Sequence, residues 1–383
     1  MPLTCDVLII GGGIAGLSLA SALAGRATVI VAEAEAALAS HTSSRSARQL
    51  IPSYGPPAIR ELTVRTLALL RRTEQETGRR FLTPRSFLLI GDEAQVREQA
   101  SSHMAFISHA EAIKLSPELR PGSFEAAGLD TTSFGCDTDL LIEHHRTTAE
   151  AAGARILTNA PVTAAVRGDG DGGWEVQAGA RTIVADTVVN AAGAWADNVA
   201  ALFGAAPQGL VPYRRTAAVV KVARPLLPEQ PMVATADNTF YYRPEGDQVL
   251  ISPSETEPSR AEDARPRETD IQALVENINS ATTMGIEVVD RAWTGLRTEP
   301  ADGHPVVGFD GQTAGFFWLA GQGGYGFQTS AGLAELAAGL ILDGTADGTG
   351  VSGETIAALG PRVVRSDDVS RRGQLAAMPA KVR

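Results

Sequence analysis

Gly11, Gly13 and Gly16 stand in G-x-G-x-x-G spacing, and a carboxylate, Glu33, follows 22 positions after the first of them. These residue types suit the holding of a dinucleotide. One glycine makes a tight turn, another lets the backbone approach a pyrophosphate, and the third lets a helix pack closely on a strand. A helix opening at this point, with Ile14 and Ala15 in its first turn, offers free N–H groups and a positive dipole end to phosphate. Glu33, with Ala34 beside it, is suited to accept hydrogen bonds from ribose hydroxyls. A second glycine-rich stretch, AGQGGYGFQTSAG at 320–332, lies far downstream and needs its own explanation.

The elements around the first loop are those such a site requires. Asp6–Ile10 (DVLII) is an apolar, β-branched run of strand length, as in a parallel strand buried on both faces. LSLASALAG predicts a helix, and Thr28–Ala32 (TVIVA) a second strand ending at Glu33, which completes a βαβ unit. The segment SHTSSRSARQ at 40–49 is dense in hydroxyls and small residues. Through Thr42, Ser43, Ser44, Arg45, Ser46 and Ala47 it can line a phosphate and an isoalloxazine edge, which favours FAD over NAD.

Further on, the pattern predicts a helix over 57–78, an antiparallel arrangement from FLLIG (87–91) and a helix over 139–153. Strands follow at 155–158 and 162–167, then a hairpin of 174–178 with 181–185, and a separate buried strand at 186–190 capped by AAGAW. Residues 318–320 end another strand and 328–343 read as a helix, so the second glycine stretch is also a strand–loop–helix joint. The expected fold is α/β, and α+β overall. A Rossmann-type FAD-binding domain takes 1–80, 137–204 and 301–365, interrupted by a substrate domain of antiparallel sheet and helices over 81–136 and 205–300. Residues 366–383 are expected to form a flexible tail.

Composition narrows the partners. Of 383 residues, 44% are hydrophobic and 20% charged, and the net charge of −11 argues against nucleic acid and anionic membranes, both of which attract basic patches. Cys5 and Cys136 form neither a disulfide framework nor a metal-ligand spacing, so no metal and a reducing compartment are expected. Residues 7–25 carry no charge and match the length of a membrane span. Their glycines, the preceding Asp6, and the lack of a basic residue over 1–5 favour a strand and helix in a cytoplasmic protein instead.

IIGGGIAG (9–16), SRSA (44–47), YGPPAIRELT (54–63), TPRS (83–86), VNAAGAWAD (189–197), WTGLR (293–297) and FFWLAGQGGYGFQTSAG (316–332) lie in order over nearly the whole chain. Through them the sequence resembles the D-amino-acid oxidase/glycine oxidase superfamily of FAD-dependent amine oxidoreductases, and within it the bacterial D-arginine dehydrogenase group. The resemblance implies hydride transfer from the Cα of an amino acid or related amine to flavin N5, giving an imine. It implies non-covalent FAD, since no cysteine follows WTGLR where covalently flavinylated sarcosine oxidases carry theirs. It makes Arg297 and Arg214 the clamp on the substrate carboxylate, with Arg215 competing for the second place, because a guanidinium meets a carboxylate through two hydrogen bonds. Tyr54 and Tyr241 become substrate contacts. The second glycine loop falls at the flavin end of the cofactor, with Gly323, Tyr325, Gly326, Phe327 and Thr329 beside the flavin and Gly324 and Gln328 toward the substrate. Val162, Ala192, Gly193 and Trp195 line the rest of the cofactor.

Two positions depart from the D-arginine dehydrogenase pattern. Phe87 replaces a glutamate that reads the substrate's cationic end, and Gln49 replaces a histidine. A buried cation facing Phe87 loses its partner, at a cost of several kcal/mol, so D-arginine and D-lysine are expected to be poor substrates. No side chain is required as general base, because solvent can take the amine proton. Glycine, sarcosine, an N-substituted amino acid or a biosynthetic amine remain alternatives, as does a non-catalytic flavin-binding subunit or assembly factor. The electron acceptor, oxygen or quinone, is left open.

Overall fold

The computed structural model describes residues 1–168 and 172–362; the tail expected over 366–383 lies outside them. Leu3–Ile10 is the centre of an eight-stranded sheet. It pairs in parallel with Val29–Ala32 on one side and Arg181–Asn190 on the other. Arg155–Leu157 extends the sheet beyond Val29–Ala32, and Phe316–Ala320 extends it beyond Arg181–Asn190, again in parallel. Five strands therefore release their chains at one edge, where Gly11, Glu33, Thr158, Ala191 and Gly321 each begin a loop. Ligands of open parallel sheets bind outside the carboxyl ends of the strands. The two glycine loops, remote in sequence, meet here because a single strand separates theirs.

One expected boundary is corrected. Arg181–Asn190 is one ten-residue strand, not a hairpin arm followed by a second strand. Its first half pairs antiparallel with Trp174–Ala178, while its second half pairs with Phe316–Ala320. Asp186 favours turns in isolation, but Leu3–Ile10 pairs on either side of it, Cys5 with Ala185 and Val7 with Thr187, and the strand runs through.

Apolar clusters cover both faces of this sheet. Helix Ile14–Ala22 has no polar stripe, as expected of a helix wedged between the sheet and two others, Thr138–Ala151 and Ser330–Leu342. Helix Pro57–Thr77 crosses Ser330–Leu342 closely: a Cβ on Gly332 would lie 3.2 Å from the Leu62 carbonyl oxygen. Among the described residues, no helix is long and apolar enough to cross a membrane.

A nine-stranded sheet forms the second layer, built on two long antiparallel strands, Val211–Val222 and Ile286–Glu299. FLLIG (Phe87–Gly91) pairs antiparallel with Ala126–Asp130 as expected, but parallel with Met232–Thr235. Successive side chains point to opposite faces, and both faces are buried. Leu88, Ala218, Val220 and Tyr242 face one cluster, capped by Leu274 and Ile278 of helix Glu268–Ala281. Phe87, Leu89, Val219, Tyr241 and Trp293 face the other.

Candidate active site

A cleft of about 410 Å³ runs along the carboxyl edge of the parallel sheet and is bounded by Leu296 and Thr298 of the second sheet. Of the residues expected to hold a cofactor, Gly11, Gly13, Ile14, Ala15, Glu33, Ala34, Thr42, Ser43, Val162, Ala192, Gly193, Trp195, Gly323 and Gly326 line it. Gly11 takes a left-handed φ of +112°, and a Cβ there would lie 2.4 Å from the Ala191 carbonyl oxygen. A Cβ on Gly16 would lie 2.0 Å from the Gly11 carbonyl oxygen, so Gly16 serves helix–strand packing rather than the cleft wall. Gly13 meets only Ser43 Oγ, at 3.1 Å.

The helix that starts at Ile14 has no side-chain cap from its own N-cap residue, Gly13. Ile14 and Ala15 of its first turn line the cleft, and the Ile14 N–H donates to Ser43 Oγ at 3.0 Å. Glu33 Oε2 accepts from the Gly12 N–H at 2.6 Å, and its Oε1 from the Glu35 N–H at 2.9 Å, which fixes the carboxylate at the other end. A helix N-terminus, an open glycine, a held carboxylate and a glycine loop at the far end fit the phosphates, ribose and flavin of FAD.

Other expected cofactor residues act elsewhere. Thr42–Arg45 is a 3₁₀ turn, in which side chains three apart point the same way. Thr42 Oγ1 donates to the Leu296 carbonyl, and Arg45 donates to the Thr294 carbonyl at 2.6 Å and to Asp263. Arg45 thus stitches this loop to strand Ile286–Glu299 instead of lining the cleft. Ser44 bonds to the His41 carbonyl, Ser46 Oγ accepts from the Arg48 N–H, and the Ala47 carbonyl accepts from Arg243 Nε. Phe327 packs in a core with Leu50, Leu67 and Leu70, and Thr329 closes a turn onto the Tyr325 carbonyl. Sequence reasoning missed His41, whose ring lies 4.6 Å from that of Trp195 and which also lines the cleft.

A second group of side chains gathers on the buried face of the nine-stranded sheet that carries Phe87. Arg297 faces Tyr213 across the Val211–Val222/Ile286–Glu299 pairing, and Arg215 faces Gly295. Arg297 and Arg215 therefore share one face with Tyr241 and Val219. Arg214 has the opposite parity. Its Nη2 donates to the Arg265 carbonyl at 2.6 Å and its Nη1 lies 4.0 Å from Glu262. Of the two arginines offered for the second clamp position, Arg215 and not Arg214 shares a face with Arg297, because the period of two sends neighbouring arginines to opposite sides. With both faces buried, the sequence carries no signal that chooses between them.

Arg297 is half-buried, and among the described residues its guanidinium has no hydrogen-bond or ion-pair partner. It lies against Gly324, where a Cβ would meet Nη1 at 2.9 Å, which explains the glycine. Burial pulls the Arg297 guanidinium down, but Tyr241, Tyr54, Tyr325 and Glu255 together more than offset it and leave its pKa raised. Arg215 donates through Nε to the Glu255 carbonyl at 2.8 Å. Burial, with the repulsion of Arg297 second, pushes it down to about 10. Both therefore remain cationic near neutral pH.

The rings complete the cluster. Tyr54 lies 5.5 Å from Tyr325 and 6.5 Å from Phe87 between ring centroids. Tyr325, expected against the cofactor, stands beside Tyr54 and Arg297. Phe87 is buried and packs with Tyr241 as an apolar wall. Gln328 is turned away: its Nε2 donates to Thr63 Oγ1 at 2.9 Å, tying the glycine loop to the segment that carries Tyr54. Gln49 donates to the Arg85 carbonyl. Glu255 and Glu299, both beside the arginines, went unrecognised because neither lies at a position for which the sequence offers a motif.

A family model described as FAD dependent oxidoreductase (DAO) matches residues 6–340. The chain belongs to this family of FAD-dependent oxidoreductases. Human mitochondrial dimethylglycine dehydrogenase is 27% identical over 375 residues, covering 88% of this chain and 42% of that protein. The chain thus spans about two fifths of the length of that curated relative. Among solved structures, L-proline dehydrogenase from P. horikoshii superposes with a TM-score of 0.81 at 20% identity, covering 97% of this chain and 99% of the other. Glycine oxidase from Geobacillus kaustophilus gives 0.80 at 22%, covering 95% and 100%. Together these place the FAD-dependent oxidoreductase fold on nearly the whole chain.

Proposed function

We propose that this FAD-dependent oxidoreductase oxidises the C–N bond of a carboxylate-bearing amine, an amino acid or N-substituted amino acid, to an imine. The observation that carries this reading is the unpartnered guanidinium of Arg297, with Arg215 beside it and two tyrosines around it. When bound, FAD supplies the two-electron acceptor. The chain does the rest. Arg297 and Arg215 hold the carboxylate, Tyr54 and Tyr241 add hydroxyl contacts, and the Phe87 wall excludes water and takes an uncharged side chain. Dimethylglycine, glycine and proline, named in the proteins above, all carry a carboxylate next to a C–N bond, which supports this class. We take FAD as non-covalently held, in that neither Cys5 nor Cys136 lines the cleft and burial pushes both thiols up to about 12, which leaves no cysteinyl link. We take 1–80, 137–204 and 301–365 as the FAD-binding domain, and 81–136 and 205–300 as the substrate domain. A structural flavin in a subunit or assembly factor needs no carboxylate clamp.

Anaerobic mixing of the yellow holoprotein with D- and L-amino acids and their N-methyl forms tests the reading. Bleaching of the flavin is expected with small, aliphatic or aromatic substrates, and at least tenfold more slowly with D-arginine and D-lysine. D-arginine as the fastest substrate removes the role given to Phe87, and no bleaching by any amine favours the structural role.

The corrected clamp makes a paired prediction. Arg215→Met is expected to lower kcat/KM by about 2 kcal/mol, roughly 30-fold, through a higher KM. Arg214→Met leaves kinetics within about threefold but lowers thermal stability by about 2 kcal/mol, because it strands the Arg265 carbonyl. Kinetics and melting curves of the two variants, measured side by side, check this.

A further inference from the structure

Glu299 has a setting that the carboxylate clamp does not explain. It follows Arg297 by two residues on the same strand face, about 6.6 Å further along. The two side chains lie against consecutive residues of the second glycine loop. A Cβ on Gly323 would come within 2.2 Å of Glu299 Oε2, just as one on Gly324 would strike Arg297. Glu299 is half-buried, and among the described residues it makes no hydrogen bond and no ion pair, even with Arg297. A cation and an anion are thus held side by side, unpaired, on the loop at the flavin end of the cleft. An amino-acid zwitterion has the complementary pattern, a carboxylate and an ammonium a few ångströms apart.

We propose that Glu299 receives the substrate ammonium and takes its proton. This rests on the carboxylate clamp described above. With the substrate carboxylate on Arg297, the ammonium falls toward the Glu299 carboxylate. An N–H bond breaks and an O–H bond forms on Glu299, leaving a neutral amine whose lone pair can drive the Cα hydride, with its electron pair, onto FAD. The amine is oxidised to the imine and FAD is reduced. The groups facing Glu299 are Arg297 on its own strand, Arg215 on the adjoining strand and Tyr325 on the glycine loop. Burial pushes the carboxyl up, and the two arginines pull it down without cancelling the rise. That raised affinity for a proton suits a base working near neutrality.

The test uses the holoenzyme and its Glu299→Gln and Glu299→Asp variants. One readout is the flavin absorbance change on titration with propionate, which has the carboxylate but no amine. The other is the pH profile of kcat/KM for the amino acid that bleaches the flavin fastest. In Glu299→Gln, propionate is expected to bind as well as or better than in the parent, because a neighbouring negative charge is gone. At neutral pH, kcat/KM falls roughly 100-fold. The deficit shrinks as pH rises toward the amine's own pKa, and the acid limb that reports Glu299 disappears. Glu299→Asp restores that limb. Retention of wild-type kcat/KM and of the acid limb in Glu299→Gln overturns the proposal. So does an equal loss of propionate binding and amine oxidation, which marks a structural role. Propionate that binds the parent and Arg297→Met equally well instead removes the clamp, and the proposal falls with it.

Discussion

Arg297→Met is expected to give a yellow protein that melts no lower than the parent and loses about 3 kcal/mol, roughly 150-fold, in kcat/KM toward its carboxylate-bearing amine. The stability half of this result follows from the missing partners. Burial of the guanidinium costs desolvation, which the nearby tyrosines and Glu255 offset through charge alone, so its removal strands no hydrogen-bonded partner. Methionine fills similar volume without that penalty. The catalytic half follows from geometry. On the proposed reading the fork offers a carboxylate two charge-assisted bonds against the second glycine loop, so losing it weakens binding and loosens the placement of Cα. KM rises and kcat falls together. Arg297→Lys keeps the charge but not the fork, and is expected to recover only part of the loss. Steady-state kinetics and thermal melting on the same preparations check the result. A variant that unfolds, or one with unchanged kcat/KM, contradicts the assignment.

How much of this was readable in the sequence depends on whether the signal was local. The βαβ unit from Leu3 to Ala32 was legible because its apolar runs, glycines and terminal carboxylate follow one another directly. Helix Pro57–Thr77 was legible from its periodicity and its left-handed C-terminal Gly78. The choice between Arg214 and Arg215 was not, because it turns on which face of a doubly buried strand meets the cofactor, and Val219 and Val220 look alike to the chain. Arg45 misled for a related reason. In a hydroxyl-rich loop an arginine suggests a phosphate, but the 3₁₀ turn aligns it with Thr42 onto the carbonyls of a strand some 250 residues away. Glu299 had no sequence signal, since its setting comes from lying with Arg297 against one glycine loop.

The carboxyl edge of the parallel sheet resolves the remaining puzzle, that of two distant glycine loops. Loops after Ile10, Asn190 and Ala320 leave three neighbouring strands, so residues spread over most of the chain's length converge on one cleft. The long strand Ile286–Glu299 divides its side chains by simple alternation: Leu296 and Thr298 line the cleft, while Arg297 and Glu299 stand on the face where the substrate is proposed to bind. A register slip of one residue in this strand would exchange the two sets. Its pairing with Val211–Val222 from end to end is what holds that register.

The glycines of the first loop should therefore separate by role when replaced. Gly16→Ala is expected to destabilise the fold by about 3 kcal/mol or more, because its methyl group meets the Gly11 carbonyl at 2.0 Å and Ile9 Cγ2 at 3.1 Å. The clash is with backbone at the end of a central strand, which cannot move without disturbing the pairing of Leu3–Ile10 on both sides. Gly13 differs in every respect that matters. Its φ of −82° and ψ of −175° are open to any residue, and its only near neighbour is the Ser43 hydroxyl, which can rotate. Gly13→Val is therefore expected to fold with a melting temperature, stripped of flavin, within about 2 °C of the parent apoprotein. Its branched side chain then stands where the pyrophosphate must approach the helix N-terminus, and the protein emerges colourless. The 450 to 280 nm absorbance ratio and the apoprotein melting curve measure the two effects separately. A yellow Gly13→Val protein removes the pyrophosphate from this loop, and a Gly16→Ala protein as stable as the parent removes the packing role given to Gly16.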